Sequence, residues 1–142
     1  MKRTDLISEI VEDLASFKRV MIASHAANAP THMPTPAQIG ILVLIARGGA
    51  QNLKDLAARL RMSSSAATQL VDGLVEERML TRTEDPADRR RILLALTASG
   101  RRKLDQAKKR RMDSFAKLLA PLTESELVDW KRLQRKIIGH AS

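Results

Sequence analysis

Residues 85–91 read Asp-Pro-Ala-Asp-Arg-Arg-Arg and lie between two short apolar runs, Met79-Leu80 and Ile92 to Leu96. A turn signal between short apolar segments is typical of a β-hairpin with the turn at its tip. A hairpin tip offers little shelter from water, so the three guanidinium groups are expected to face solvent or a partner. Just before the hairpin, the sequence predicts two short helices joined by a tight turn. A helix-turn-helix followed by a basic hairpin is well suited to holding DNA.

Capping signals predict six helices around this hairpin. The first helix is expected from an N-cap at Thr4 to about residue 25, and the last from a capping box at Thr123 to Gly139. Four further N-caps are predicted: Thr35, Asn52, Ser63 and Thr97. The second helix is apolar on all sides, which indicates a central position. The expected fold class is mainly α with a small β-hairpin wing, in the order α1-α2-α3-α4-wing-α5-α6, and a short extra strand is a candidate near Gln51.

The charge of the chain is concentrated in one segment. The 142 residues include 25 Lys and Arg against 16 Asp and Glu, a net charge of +9. Ten basic residues and one acidic residue lie between positions 89 and 111, so this window equals the net charge of the whole chain. Such a patch attracts phosphates, although a merely solvated helix face is the alternative for residues 108–111.

Composition argues against several other functions. The chain has no Cys, which excludes disulfides and cysteine-based sensing. It shows no order of residues typical of a catalytic triad, no phosphate loop and no paired carboxylates, so we expect no enzyme activity and no cofactor or metal. Two Phe, one Trp and no Tyr predict an aliphatic core and argue against a stacking platform for single-stranded nucleic acid. No apolar stretch approaches the ~18 residues that would suggest a membrane span. The absence of disulfides fits a reducing cytoplasm.

The helix after Ser63 has two distinct faces. An apolar stripe at helical spacing predicts its buried side: Ala67, Leu70, Val71 and Leu74. The other face, at the N-terminal end, carries uncharged hydrogen-bonding groups: Ser64, Ser65, Thr68 and Gln69. These side chains suit a helix in the major groove, where Gln can pair with adenine. An ordinary amphipathic helix is the alternative, and the neighbouring turn and hairpin argue against it.

The hairpin tip is expected to supply a second DNA contact. Arg89, Arg90 and Arg91 can reach the adjacent minor groove, where narrow A·T segments concentrate negative potential. Asp88 is a poor group to face DNA. We expect it either to pair with a neighbouring arginine or to cap the turn, holding the tip in shape.

The first and last helices each carry an apolar stripe. A monomer could pack both stripes on its own core, or a homodimer could use them as an intertwined interface. We favour the dimer, because paired helix-turn-helix units read two half-sites and gain affinity. The residues of the last helix assigned to this interface are Leu127, Trp130, Leu133 and Ile137.

The sequence resembles the MarR family of winged helix-turn-helix transcriptional regulators. The matching segments are residues 56–60, 63–74, 80–82, 85–91 and 96–100. The resemblance implies a cytoplasmic homodimer that binds pseudo-palindromic operators, with the recognition helix in the major groove and the wing arginine in the minor groove. Asp88 and Arg90 occupy the matched positions of the family's Asp-x-Arg wing motif, whereas Arg78 stands where the family commonly has Gly. A left-handed residue there would cost an arginine on the order of 1 kcal/mol, unless the helix ends differently.

The resemblance also implies a domain plan and a place for an effector. Residues 1–34 would form an N-terminal dimerisation helix and loop, residues 35–100 the winged DNA-binding lobe, and residues 101–142 the C-terminal dimerisation helices. A small anionic or phenolic effector would bind between the dimer helices and the DNA-binding lobe, near His25, His32 and Met33.

The function expected from the sequence is therefore that of a sequence-specific regulator. It would bind double-stranded DNA as a homodimer, as a repressor, and an effector could release it. A non-sensing architectural DNA binder and a winged-helix adaptor that binds protein are the open alternatives. An adaptor has no need of three arginines beside the polar face of the second short helix.

Overall fold

The computed structural model describes residues 1–26, 30–48 and 51–141. Within these ranges the chain forms six helices and one antiparallel hairpin, which confirms the predicted fold class. The elements are α1 (Arg3–Ala26), α2 (Pro36–Ala46), α3 (Leu53–Arg59), α4 (Ser64–Glu76), β1 (Leu80–Glu84), β2 (Ile92–Leu96), α5 (Ala98–Leu118) and α6 (Glu124–Ala141). Among the described helices, none combines the length and the apolar character that a membrane crossing requires.

The chain divides into two compact units. The helical unit comprises Met1–Asn28 and Arg111–Ser142, and the winged unit comprises Ala29–Arg110. Helix α5 begins in the winged unit and ends in the helical unit.

Short-range hydrogen bonds explain where most helices begin. At α2, Thr35 Oγ1 accepts from the Gln38 backbone N–H at 3.2 Å, and Gln38 Oε1 accepts from the Thr35 backbone N–H at 3.0 Å. This is the predicted capping box, with Pro36 at the first helical position. Asn52 and Ser63 likewise accept from backbone N–H groups three residues ahead, at 2.9 and 3.1 Å. These caps confirm the predicted starts of α2, α3 and α4.

The start of α6 also follows the predicted capping box. The Thr123 backbone N–H donates to Glu126 Oε2 at 2.8 Å, and the Thr123 hydroxyl donates to the same oxygen at 2.9 Å. Both bonds favour the ionised carboxylate, so the pKa of Glu126 lies below its ordinary value.

Two predicted helix boundaries and the candidate extra strand differ from the structure. Thr4 lies inside α1 and does not cap it, because the Asp5 carboxylate accepts from the Lys2 backbone N–H at 3.1 Å and the helix begins one residue earlier. Helix α6 continues past Gly139 to Ala141, since one glycine weakens a helix without ending it. The segment near Gln51 forms a single bridge to the hairpin instead of a strand, with the Leu94 N–H donating to the Gln51 carbonyl at 2.8 Å.

The core of the winged unit is aliphatic, as predicted. Ile41 and Leu42 of α2 are completely buried, which confirms the central position expected for that helix. Around them lie buried residues from each of the other elements of this unit: Leu56, Val71, Leu74, Met79, Leu80, Leu94 and Leu104. The core thus joins both helices of the helix-turn-helix to the hairpin and to the start of α5.

Helix α4 ends at a left-handed arginine. Arg78 has φ +59°, its N–H donates to Val75 O at 3.0 Å, and the Met79 N–H donates to Leu74 O at 2.8 Å. This pair of bonds is the Schellman motif, which usually places Gly at the left-handed position. Of the two alternatives raised by the sequence, the chain therefore accepts the left-handed conformation at Arg78.

The next elements attach to the same point. Thr97 Oγ1 donates to the Arg78 carbonyl at 2.6 Å and accepts from the Gly100 N–H at 2.9 Å, which makes Thr97 the N-cap of α5. Its own N–H donates to the Met79 carbonyl at 3.1 Å. Gly100 is buried against that carbonyl, and a Cβ there would lie only 2.9 Å from the Met79 carbonyl carbon. Only glycine fits at this contact.

Gly100→Ala should lower the free energy of unfolding by about 2–3 kcal/mol, because its Cβ would overlap backbone atoms that cannot move independently. Gly139→Ala is the matched control: it changes another helical glycine, one whose Cβ would meet nothing within 4 Å. It should leave stability unchanged or raise it by up to about 1 kcal/mol. Urea unfolding followed by circular dichroism measures both, and equal midpoints for Gly100→Ala and the wild type would contradict the packing described.

Candidate nucleic-acid interface

Helix α4 presents a polar N-terminal face because its other face is fixed in the core. Ala67, Val71 and Leu74 are completely buried, whereas Leu70, expected with them, is half-buried. The residues of the polar face lie on the opposite side. Ser64, Ser65 and Gln69 are exposed and Thr68 is half-buried.

The polar face retains hydrogen-bonding capacity. The Thr68 hydroxyl donates to the Ser64 carbonyl at 2.8 Å, so it keeps its lone pairs to accept a further bond. Ser64, Ser65 and Gln69 make no side-chain hydrogen bond to the described part of the chain. The helix carries no basic residue, and its only charged groups are Asp72 and Glu76. This surface can therefore recognise hydrogen-bonding partners, but it supplies no positive charge.

Two contacts hold α4 against its neighbours. The first is a close approach at Gly73, where a Cβ would lie 3.2 Å from Gln38 Nε2 of α2. The second is an ion pair between Asp72 of α4 and Arg82 of β1. The ion pair was missed by the sequence reasoning, because its partners lie on different elements at no characteristic spacing. It connects the recognition helix directly to the wing.

The wing is a regular hairpin whose tip is shaped by two aspartates. Strand register runs from Leu80 opposite Leu96 to Glu84 opposite Ile92. Asp85 closes the loop through its N–H, which donates to the Arg91 carbonyl at 2.9 Å, and its carboxylate accepts from the Ala87 N–H at 2.9 Å.

Asp88 lies at the centre of the tip. Its carboxylate accepts from the Arg90 backbone N–H at 3.0 Å, and its carbonyl accepts from the Arg91 N–H at 2.9 Å. Asp88 was expected either to pair with a neighbouring arginine or to cap the turn, and these bonds show that it caps the turn. Arg89, Arg90 and Arg91 are all exposed. Their guanidinium groups form no ion pair with the described residues, so they are available to a partner.

Helix α5 continues the positive charge. Gly100, Leu104 and Ala107 form its buried side. Arg101, Arg102, Lys108 and Lys109 are exposed. The start of α5 lies at the base of the hairpin, so Arg101 and Arg102 are separated from the wing tip by about the length of the hairpin.

The helical unit exposes much apolar surface. Phe17 of α1 and Trp130 of α6 meet edge to face, with ring centroids 5.8 Å apart. Neither helix contains a buried residue. Of the predicted interface residues, Leu127 and Trp130 are half-buried, whereas Leu133 and Ile137 are 48% and 69% exposed.

The residues proposed for an effector pocket lie in different units. His25 belongs to the helical unit, and His32 and Met33 belong to the winged unit. His25 and Met33 are half-buried, whereas His32 is exposed and has a left-handed backbone with φ +85°. In the described ranges, no three His, Asp or Glu side chains are grouped so as to hold a metal ion. The pocket stays a prediction.

The winged unit thus combines a helix-turn-helix, a polar recognition face and a basic hairpin, which defines a winged helix-turn-helix DNA-binding protein. A sequence model of the MarR family matches residues 34–91. The HTH-type transcriptional repressor MdtR of Bacillus subtilis is 31% identical over 103 residues, which cover 72% of this chain and 66% of that protein, just under two thirds of its length.

Solved structures extend the similarity over nearly the whole chain. The crystal structure of the YusO protein from Bacillus subtilis has a TM-score of 0.80 and 28% identity, covering 98% of this chain and 99% of that one. A MarR family protein from Bacillus stearothermophilus has the same fold, with a TM-score of 0.81 at 19% identity, and covers 99% of both chains. The chain belongs to the MarR family of helix-turn-helix transcriptional regulators.

Proposed function

We propose that this regulator binds a pseudo-palindromic DNA operator as a homodimer and represses transcription in the cytoplasm. The observation that carries the proposal is the combination of an uncharged, hydrogen-bonding face on α4 with three exposed wing arginines that form no ion pair within the described part of the chain. The polar face can read base edges in the major groove, and the arginines can enter the minor groove. The similarity to MdtR, a named repressor, supports repression.

The dimer is supported by the helical unit. Its two terminal helices have no buried residue, and apolar side chains of both helices face solvent in a single protomer. Contiguous apolar surface of this kind usually marks an interface. A second copy of the chain would cover it with the same type of surface and would place two recognition helices on one duplex.

An anionic or phenolic effector that releases the operator completes the proposal, with His25, His32 and Met33 as its candidate contacts. An architectural DNA binder would share the interface but not the sequence preference. An adaptor that binds protein would not need the unpaired arginines.

Selection of bound duplexes from a random pool should recover inverted repeats with half-site centres about 10 bp apart. That spacing follows from two recognition helices entering the major groove on one side of the duplex, one helical turn apart. Recovery of single asymmetric sites would contradict operator binding by a homodimer, and recovery of no motif would favour the architectural DNA binder.

Substitutions of Gln69 and Arg90 should affect DNA binding in different ways. Gln69→Ala should lose about 1–3 kcal/mol on the preferred base pair and change the ranking of operator variants, because a base contact specifies sequence. Arg90→Ala should weaken binding to all operators more evenly and lower the salt slope by about one unit per arginine removed from the complex. Asp88→Ala should resemble a milder Arg90→Ala, since it loosens the turn that holds this arginine.

Titration of an operator panel at several salt concentrations separates these effects. If Arg90→Ala leaves affinity and salt slope unchanged, the wing does not contact DNA and the adaptor becomes the better interpretation.

Leu133→Asp should abolish the dimer, because it places a charge in the apolar face assigned to the interface. Val128→Asp is the matched control, since Val128 is also exposed but lies on the opposite side of α6 at about 100° per residue. Trp130→Ala should destabilise the dimer by about 3 kcal/mol or more. Light scattering and thermal unfolding measure these outcomes, and a monomeric wild-type protein would refute the dimer.

A further inference from the structure

Two arginines adopt a backbone conformation that arginine rarely accepts. Arg61 has φ +51° and Arg78 has φ +59°. Each follows the C-cap residue of a helix, at a position that glycine or asparagine fills with least strain. Arg61 lies in the turn of the helix-turn-helix, before α4, and Arg78 lies after α4. A strained residue is a reason to ask what its side chain provides.

The backbone at Arg61 does not need an arginine. Its N–H donates to Ala58 O at 3.2 Å, and the Met62 N–H donates to Ala57 O at 3.1 Å, closing α3 with a Schellman motif. Glycine would form the same two bonds. The Arg61 side chain is exposed and makes no hydrogen bond or ion pair with the described part of the chain. No contact in the described part of the protomer therefore accounts for the guanidinium.

The neighbouring recognition helix, in contrast, lacks the positive charge that binding to DNA requires. Residues 64–76 contain no basic residue and two acidic ones, although this helix has to approach a polyanion. Arg61 is three residues from Ser64, so their Cα atoms are at most about 11 Å apart. That distance is close to the Debye length of ~8–10 Å, and the flexible side chain shortens it further. Arg61 is placed to supply charge where α4 would enter the groove.

We propose that Arg61 binds an operator phosphate beside the N-terminal end of α4 and determines affinity without reading sequence. This inference rests on the proposed DNA-binding function. It assigns to the helix-turn-helix turn a share of the electrostatic attraction, in addition to that of the wing.

Arg78 is the internal comparison for this inference. It is also an arginine, it has nearly the same backbone conformation as Arg61, and it too lies in a Schellman motif at the end of a helix. The thirteen residues of α4 separate the two arginines by about 20 Å, roughly two Debye lengths. Its carbonyl is held by Thr97 at the base of the hairpin. Arg78 therefore shares the strain of Arg61 but not its position.

The test compares Arg61→Gly with Arg78→Gly in the full-length protein. Both variants should melt a few degrees above the wild type, because glycine relieves the left-handed strain. Only Arg61→Gly should bind the selected operator more weakly, on the order of 10- to 100-fold at ~0.1 M salt. Its salt slope should fall by about two units per dimer, one for each lost phosphate contact. Arg61→Lys, which keeps the charge, should retain most of the slope.

These measurements distinguish an error about Arg61 from an error about DNA binding itself. If the wild type binds no duplex, DNA binding itself fails. If the wild type binds and Arg61→Gly binds equally well with the same salt slope, the inference about Arg61 alone is overturned. Equal weakening by Arg61→Gly and Arg78→Gly would also overturn it, because the loss would then follow net charge instead of position. A change in operator ranking by Arg61→Gly would show base reading and refute the phosphate role.

Discussion

Two neighbouring carbonyl groups, those of Arg78 and Met79, join the elements that form the candidate DNA interface. The Thr97 hydroxyl donates to the first at 2.6 Å and the Thr97 N–H donates to the second at 3.1 Å. Gly100 packs against the Met79 carbonyl with no room for a side chain. The end of α4, the base of the hairpin and the start of α5 are therefore fixed together. The Asp72–Arg82 ion pair adds a second, partly exposed contact between α4 and β1.

This rigid arrangement allows charge and hydrogen bonding to be divided between elements. Helix α4 carries hydroxyl and amide groups but no basic residue, whereas the wing tip carries three exposed arginines. Phosphate attraction is long-ranged and independent of sequence, and base contacts need close, fixed geometry. If α4 and the wing contact DNA as proposed, a substitution at Gln69 would change the operator preference without removing the general affinity for DNA.

The sequence predicted best what local hydrogen bonds determine. The caps at Thr35 and Ser63 depend on groups three residues apart, so their residue types were sufficient. Thr4 failed because a nearby carboxylate, Asp5, competed for the helix start. The left-handed conformation of Arg78 could only be posed as an alternative, because arginine disfavours it, and the Thr97 hydroxyl that donates to its carbonyl lies nineteen residues away in the sequence. Of the candidate site, residue types and exposed faces could be predicted, but the Asp72–Arg82 pair could not.

The helical unit raises a question of stability that the winged unit does not. The winged unit has a closed aliphatic core, whereas α1 and α6 bury no residue completely and leave apolar side chains such as Ile137 exposed. In the proposed dimer, much of the burial that stabilises these helices would come from the partner. The stability of the helical unit would then depend on protomer concentration by mass action. Folding of this unit and pairing of the two recognition helices would draw on the same interface energy, so a protomer that dissociates would lose both its partner half-site and part of its own structure.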